Sequence, residues 1–295
     1  MAGWDAECRG GARAAIHLGP PNLGAGRSVQ DDGSRGPGAG TGNQETSKYE
    51  CDRAAAHGPS SEMVGPNVVF DVMPRVGAPV QIGLIETMRA REGRVPWLGG
   101  HLARLKASLA ALGAPEPPGD LADLVRLAVG TGDRVVRLQL TDGHPEIATR
   151  DVSAEQAIHV VVAGEVHQPY PHKTTQREQF GRALAEARRV GAHDAVLVSA
   201  EGFVAEGTAW NLFWWDNGSL CTPAEDIGIL PGLGRRRVME MTGVKEERVP
   251  VAALAGRSLF LTNAVRGIVE IGVFDGAPVP RDPRTAELSF AFWPD

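Results

Sequence analysis

Lysine is scarce in this chain: Lys48, Lys106, Lys173 and Lys245 are the only four, against 26 arginines. Any search for a nucleophilic amine is thereby narrowed to four positions. Tyrosine is scarcer still, with Tyr49 and Tyr170 alone. The three cysteines (Cys8, Cys51, Cys221) are odd in number and far apart. They form neither a disulfide framework nor metal-ligand spacing, which suits a reducing compartment. No apolar run approaches membrane-spanning length, and no basic segment followed by an apolar stretch opens the chain, so a cytoplasmic protein is expected. No basic stripe interleaved with aromatics appears and the net charge is −6, which argues against a nucleic-acid partner. What remains, with hydrophobic residues at 42% and charged residues at 22% of 295, is enough for one large or two medium domains with real cores.

The texture changes along the chain. Residues 1–62 are rich in Gly, Ser, Pro, Asn and Asp without hydrophobic period, and read as a disordered N-terminal extension. Its Gly36–Gly42 stretch lacks the preceding strand and following helix that a phosphate loop needs. Met63 opens the first patterned segment and is a second candidate translation start. Residues 63–164 then read as a small α+β domain. Val68–Phe70 and Gln81–Arg89 have strand character, and Glu92-Gly93 is a turn. The spacing of Leu102, Leu105, Leu109 and Leu112 predicts a helix over 101–112 stopped by Gly113, and a second helix is expected at 121–129. Val135–Leu140 and Ile158–Val162 read as buried strands.

Gly164–Pro171 reads as a linker into a larger domain, 165–295. A helix is expected over 176–190, with Thr175 and Glu178 at capping-box spacing. Strands follow at 195–198 and 208–215, a helix from Pro231 to about Thr242, and strands at 258–262 and 268–273. Regular alternation of strand and helix is missing, which excludes a doubly wound sheet.

Three features of the second half carry chemistry. Lys173 lies just before a helix, where partial burial and nearby cations would favour the neutral amine that condenses with carbonyls; a solvated linker lysine is the plain alternative. In Ile229–Arg235 a Pro-Gly entry leaves helix N–H groups free for an anion, although the same residues suit an ordinary tight loop. Glu206, set among small and apolar residues, is either exposed on a hairpin or buried with a cationic partner such as a protonated pyridine nitrogen.

The run His172–Arg177, Asp194–Val198, Gly202–Glu206, Asn211–Phe213, Thr222-Pro223 and Leu230–Arg235 resembles the large domain of the class IV aminotransferases. Ile85–Arg89 and His101–Ser108 are similar to that family's small-domain signature, and Leu261–Gly267 to its late phosphate-side segment. The resemblance covers about residues 81–275, in the family's order. It implies a two-domain fold-type IV pyridoxal-phosphate enzyme, with a small α+β domain and a larger mixed pseudo-barrel. It further implies Lys173 as the catalytic residue that holds pyridoxal 5'-phosphate and shuttles a proton, and Glu206 on the pyridine nitrogen. Arg104 and the backbone of Leu233, Gly234, Asn263 and Ala264 would hold the phosphate, and Thr87 and Arg137 would meet substrate. Arg137 could equally pair with Asp133 or Asp142.

Departures accompany the likeness. Gly234 stands where the family has Thr or Ser, and Pro79 and Gln81 replace a Tyr-Gly segment. Family tyrosines have no obvious counterpart, and the stretch before Lys173 is short by about one strand. The resemblance implies amino transfer between an amino acid and a 2-oxo acid by a homodimer. Two alternatives are the family's 4-amino-4-deoxychorismate lyase reaction, releasing pyruvate and p-aminobenzoate, and a degenerate member without catalysis.

Overall fold

The computed structural model describes residues 82–152 and 158–294, apart from Pro118. The expected strand at 68–70, the extension 1–62, Met63, Pro79 and Gln81 lie outside the described residues.

Strands β1 (Leu84–Ala90), β2 (Arg134–Thr141) and β3 (His144–Asp151) form an antiparallel sheet in that order. Helices α1 (Leu98–Leu112) and α2 (Leu121–Val129) cover one face. Met88, Val136 and Leu138 of the sheet pack there against Leu105, Leu109 and Val125 of the helices. Each such side chain contributes about 1.5–3 kcal/mol when fully buried. Gly113 ends α1 in the left-handed region, as its sequence position suggests. Asp120 caps α2 by accepting from Ala122 N at 2.7 Å. Strand β3 was not foreseen. Its hairpin is made by Asp142 and Gly143, both at positive φ, a two-residue turn that suits the twist of paired strands.

Beside the two-residue strand Ala277–Pro278, which pairs with β11, the remaining strands are β4 (Ile158–His167), β5 (Asp194–Ser199), β6 (Val204–Gly207), β7 (Asn211–Asp216), β8 (Ser219–Pro223), β9 (Val244–Glu247), β10 (Leu259–Asn263) and β11 (Gly267–Phe274). They belong to one mixed sheet in the order β10-β11-β4-β5-β6-β7-β8-β9, with β10 paired to β7 as well. That last pairing closes six strands (β4, β5, β6, β7, β10, β11) into a barrel-like ring. Pairing is parallel for β11–β4 and β4–β5 and antiparallel elsewhere around the ring.

The run Leu212-Phe213-Trp214 is apolar at every position because both faces of β7 are covered. Leu212 and Trp214 join Ile158, Val196 and Leu261 in one core cluster. Phe213 joins Phe260, Val238 and Phe292 in another, beneath α4 (Leu233–Met241) and α5 (Pro283–Phe290). Helix α3 (Glu178–Arg189) covers β4 and β5 through Phe180, Ala183 and Ala187.

Several expectations are corrected. Residues 164–167 continue β4 instead of opening a linker. The strand expected over 208–215 begins only at Asn211 as β7, since Thr208–Trp210 form a turn, and β6 (Val204–Gly207) before that turn was not foreseen. The capping box at Thr175 and Glu178 is not formed: Arg177 is the N-cap residue of α3, without a side-chain cap. The Thr175 hydroxyl instead accepts Gly83 N at 2.9 Å.

Candidate active site

Lys173 sits in the segment joining β4 to α3, and backbone contacts fix that segment on both sides. Its carbonyl accepts Ile85 N at 2.8 Å, and Thr175 N donates to Gly83 O at 2.8 Å. The approach needs glycine at 83, because a Cβ there would lie 2.8 Å from Thr141 Oγ1 and 3.0 Å from Thr175 Cγ2. On the other side Tyr170 N donates to Gly228 O at 2.7 Å, and Tyr170 Oη donates to Thr174 O at 2.5 Å. Tyr170, whose role sequence reading left open, thus lines the cavity with its hydroxyl already committed.

A cavity of about 360 Å³ brings the site together. Lys173, Glu206, Arg104, Thr87, Arg137, Leu233, Asn263 and Ala264 all line it. Gly234 lies directly behind that wall in α4. Lys173 is half-buried by surface area but enclosed by protein, and burial lowers its pKa to about 7, helped by the Arg177 and Arg104 guanidinium groups. Among the described residues its amine makes no ion pair. A near-neutral, unpaired lysine is the form that attacks a carbonyl.

Glu206 is 3% exposed and lines the same cavity. Leu230 N donates to its two oxygens at 3.2 and 3.3 Å, and His167 Nε2 lies 3.1 Å from Oε1. His167 was missed from the sequence, since a histidine inside a valine-rich run carries no pattern of its own.

Arg104 projects from α1 to the entrance of α4. Its Nη1 donates to Pro231 O at 3.0 Å, while Nε and Nη2 make a forked pair with Glu86 at 2.9 and 2.6 Å. Glu86 is 1% exposed and also meets His101 Nδ1 at 2.7 Å. Burial alone would raise the pKa of Glu86, but Arg104 and His101 outweigh it and bring the value down to about 2.

Helix α4 begins at Gly232 without a side-chain cap, so its first N–H groups lack intrahelical partners. The turn Asn263–Arg266 stands beside it, with Asn263 Oδ1 accepting Val265 N at 2.9 Å and Arg266 N at 2.8 Å. Glycine is required in both places of the α4 entry. A Cβ on Gly232 would sit 2.0 Å from Asn211 Oδ1, and one on Gly234 would sit 2.8 Å from the Asn263 backbone and from Thr262 Oγ1. The absent side chain at 234 is therefore matched by a hydroxyl from β10: Thr262 Oγ1 is buried without a partner and occupies that space.

These residues fit pyridoxal phosphate. The α4 entry offers free N–H groups with no room for a Cβ, an unpaired amine lines the same cavity, and the Glu206 carboxyl group stands on its wall.

Of the substrate candidates, Thr87 and Arg137 are cross-strand partners on β1 and β2. Arg137 bonds neither Asp133 nor Asp142; its Nη2 donates to Gln139 Oε1 at 3.3 Å, and Asp133 takes Arg89 instead. Four arginines not singled out from the sequence (Arg150, Arg177, Arg188, Arg266) also line the cavity. Arg177 donates to Thr208 O at 2.5 Å and stacks on Phe180, 4.8 Å from the ring centre. The only other acid on the wall besides Glu206 is Asp194, which accepts Thr208 N and Oγ1 at 2.9 Å and Trp210 Nε1 at 3.1 Å and so fixes the 207–210 turn. Among the described residues no cluster of metal-ligating side chains occurs, and no helix is long and apolar enough to cross a membrane.

Comparison with known proteins agrees with this geometry. A Rickettsia typhi protein provisionally named a branched-chain-amino-acid aminotransferase is 27% identical over 245 residues, 70% of this chain and 83% of its own. Among solved structures, a Thermoproteus uzoniensis branched-chain aminotransferase superposes with a TM-score of 0.65 at 24% identity, covering 72% of this chain and 84% of the other. A Legionella pneumophila protein provisionally named a 4-amino-4-deoxychorismate lyase gives a TM-score of 0.65 at 23% identity, over 71% of this chain and 89% of its own. Both show the fold, shared between two activities. The sequence profile of amino-transferase class IV matches residues 83–273, well over half of the chain. This chain belongs to the class IV aminotransferase family.

Proposed function

We propose that the protein is a pyridoxal 5'-phosphate-dependent aminotransferase that moves an amino group between an amino acid and a 2-oxo acid. One observation carries this reading: an unpaired lysine with its pKa near 7, a buried carboxylate and an open helix N-terminus line a single cavity. The cofactor, when bound, supplies the electron sink for carbanion chemistry. Lys173 would hold the cofactor's aldehyde carbon and would take and return the proton at the substrate's α-carbon. Its depressed pKa leaves it able to do both near neutral pH. Glu206 holds a proton on the ring nitrogen. Leu233, Gly234, Asn263 and Ala264 bind the phosphate through backbone N–H groups, with the charge of Arg104 beside them. Thr87 and Arg137 orient the substrate carboxylate. The protein is further proposed to be a cytoplasmic homodimer, with 63–164 and 165–295 as its small and large domains.

The arginine excess of the cavity favours keeping the lyase reaction as a second reading. Arg137, Arg150, Arg177, Arg188 and Arg266 stand against Glu206 and Asp194, and Arg137 and Arg266 have their pKa lowered first by burial and then by a neighbouring arginine. Such a wall suits substrates with two carboxylates, and aminodeoxychorismate is one. Incubating the loaded protein with an amino-acid panel plus 2-oxoglutarate or pyruvate, and separately with aminodeoxychorismate, tests both. A new amino acid from the first incubation supports transfer; p-aminobenzoate from the second supports the lyase. Neither product, from protein that carries the cofactor on Lys173, would defeat both readings.

A further inference from the structure

Glu206 is held from behind by a residue to which nothing so far gives a role. His167 is the last residue of β4, 3% exposed, with its ring edge-on to Phe180 at 6.4 Å between centres. Its Nε2 lies 3.1 Å from Glu206 Oε1, and its Nδ1 is buried with no partner among the described residues. A carboxylate only accepts, so Nε2 carries the hydrogen and donates it. A second N–H at Nδ1 would be a buried orphan donor, which folded proteins avoid more strictly than an unused acceptor. His167 Nε2–H is therefore the directional donor to Glu206.

The consequence concerns where the negative charge of Glu206 points. Leu230 N reaches both carboxylate oxygens, and His167 takes Oε1 from the β4 side. Two elements thus clamp one carboxylate whose remaining acceptor capacity faces the cavity. We propose that His167 is a positioning residue: through Nε2–H it aims the Glu206 carboxylate and so sets how firmly that carboxylate holds a proton on the cofactor's ring nitrogen. The inference rests on the reading of Glu206 as the ring-nitrogen partner.

The full chain loaded with pyridoxal phosphate tests it. His167→Phe keeps an aromatic ring but removes the donor; His167→Gln keeps an N–H donor without the imidazole. Three quantities are read: retention of cofactor mass on Lys173 after borohydride, kcat separately from KM, and the 15N resonance of cofactor labelled at its ring nitrogen. Losing a hydrogen bond to a charged group should lower kcat about tenfold to a hundredfold in His167→Phe. KM should stay within about threefold, because substrate groups are not touched. The ring-nitrogen resonance should move towards the unprotonated position, and His167→Gln should recover most of both effects. Wild-type kcat with an unmoved resonance in His167→Phe would overturn the inference, as would a His167→Gln variant as impaired as His167→Phe. Should His167→Phe fail to fold, the imidazole N–H resonance of the wild type, compared before and after loading, decides. It is expected to shift on loading, and an unmoved signal overturns the inference. A wild-type protein that fails to take the cofactor on Lys173 defeats the reading of the site itself, and the inference with it; that is visible before any variant is made.

Discussion

At the scale of single residues, the site turns on charges held in unusual states. Lys173 has its pKa lowered from 10.5 to about 7, chiefly by burial. The unfolded chain is then the better proton binder between those values, so the stability of the cofactor-free protein should rise with pH across that window. The penalty is full below pH 7. Replacing Lys173→Met should accordingly raise the melting temperature most at about pH 6, with the gain shrinking by about pH 9–10. Thermal unfolding of both cofactor-free proteins across that range checks it, and a pH-independent difference would remove burial of the charge as its cause. Glu206→Gln keeps the shape of the buried group and removes its charge; turnover is expected to fall about a hundredfold while the cofactor stays attached. Steady-state rates and borohydride mapping of that variant measure the two effects. Lys173 and Glu206, named from sequence because each stands in a motif whose order matches the family, line one cavity. His167, Arg150 and Arg177 were not legible from sequence, because a contact across 39 residues, such as His167 to Glu206, leaves no local period.

At the scale of elements, α4 and the β10–β11 turn together line the end of the cavity proposed for the phosphate. The Pro-Gly entry was readable as either a phosphate cradle or an ordinary loop, and the packing distances show why glycine stands there. Gly234 has no room for a side chain, since its Cβ would meet the Asn263 backbone. Restoring the family's hydroxyl by Gly234→Thr should therefore cost about 1–3 kcal/mol through overpacking. It should also weaken pyridoxal phosphate more than pyridoxal, which lacks the phosphate. Chemical denaturation and competitive loading of the two aldehydes test both halves, and equal weakening would place the damage elsewhere than the phosphate end. Asp194 plays a similar part for the 207–210 turn, and Asp194→Asn should cost about 2 kcal/mol through lost charge-assisted bonds to Thr208 and Trp210, measurable in the same denaturation series. Helices α1 and α2 were legible because their leucine spacing is strong. Strand β3 was not: its alternation is diluted by polar residues on an exposed hairpin, although Asp142-Gly143 carries the turn signal. The start of β7, expected three residues too early, has a different cause. Thr208–Trp210 reads as strand by composition, and only the buried carboxylate of Asp194, far off in sequence, bends it.

At the scale of the whole molecule, a small antiparallel sheet and a six-stranded ring enclose one cavity. The small sheet with helix α1 supplies Arg104, Thr87 and Arg137, while the ring, its helices and the segment between β4 and α3 supply Lys173, Glu206 and the open N-terminus of α4. The two parts are stitched where residues 173–175 run along 83–85 and where Arg104 bonds Pro231 O. Ring closure depends on β7 pairing with β10, and Leu212 and Leu261 face each other at that seam. Leu212→Ala should cost about 2–5 kcal/mol and loosen the cavity wall, as hydrogen exchange of β7 and β10 would show. That mixed strands would form a barrel could not be read from sequence order, since closure is a pairing of elements separated by several others. Everything functional depends on one amine facing that cavity. The most direct measurement is to load the protein with pyridoxal phosphate, reduce with borohydride, and map the added mass by peptide sequencing in the mass spectrometer, beside Lys173→Ala. Reduced cofactor on Lys173 in the wild type and none in the variant is the expected result; cofactor on another lysine, or an undiminished adduct in Lys173→Ala, would contradict it.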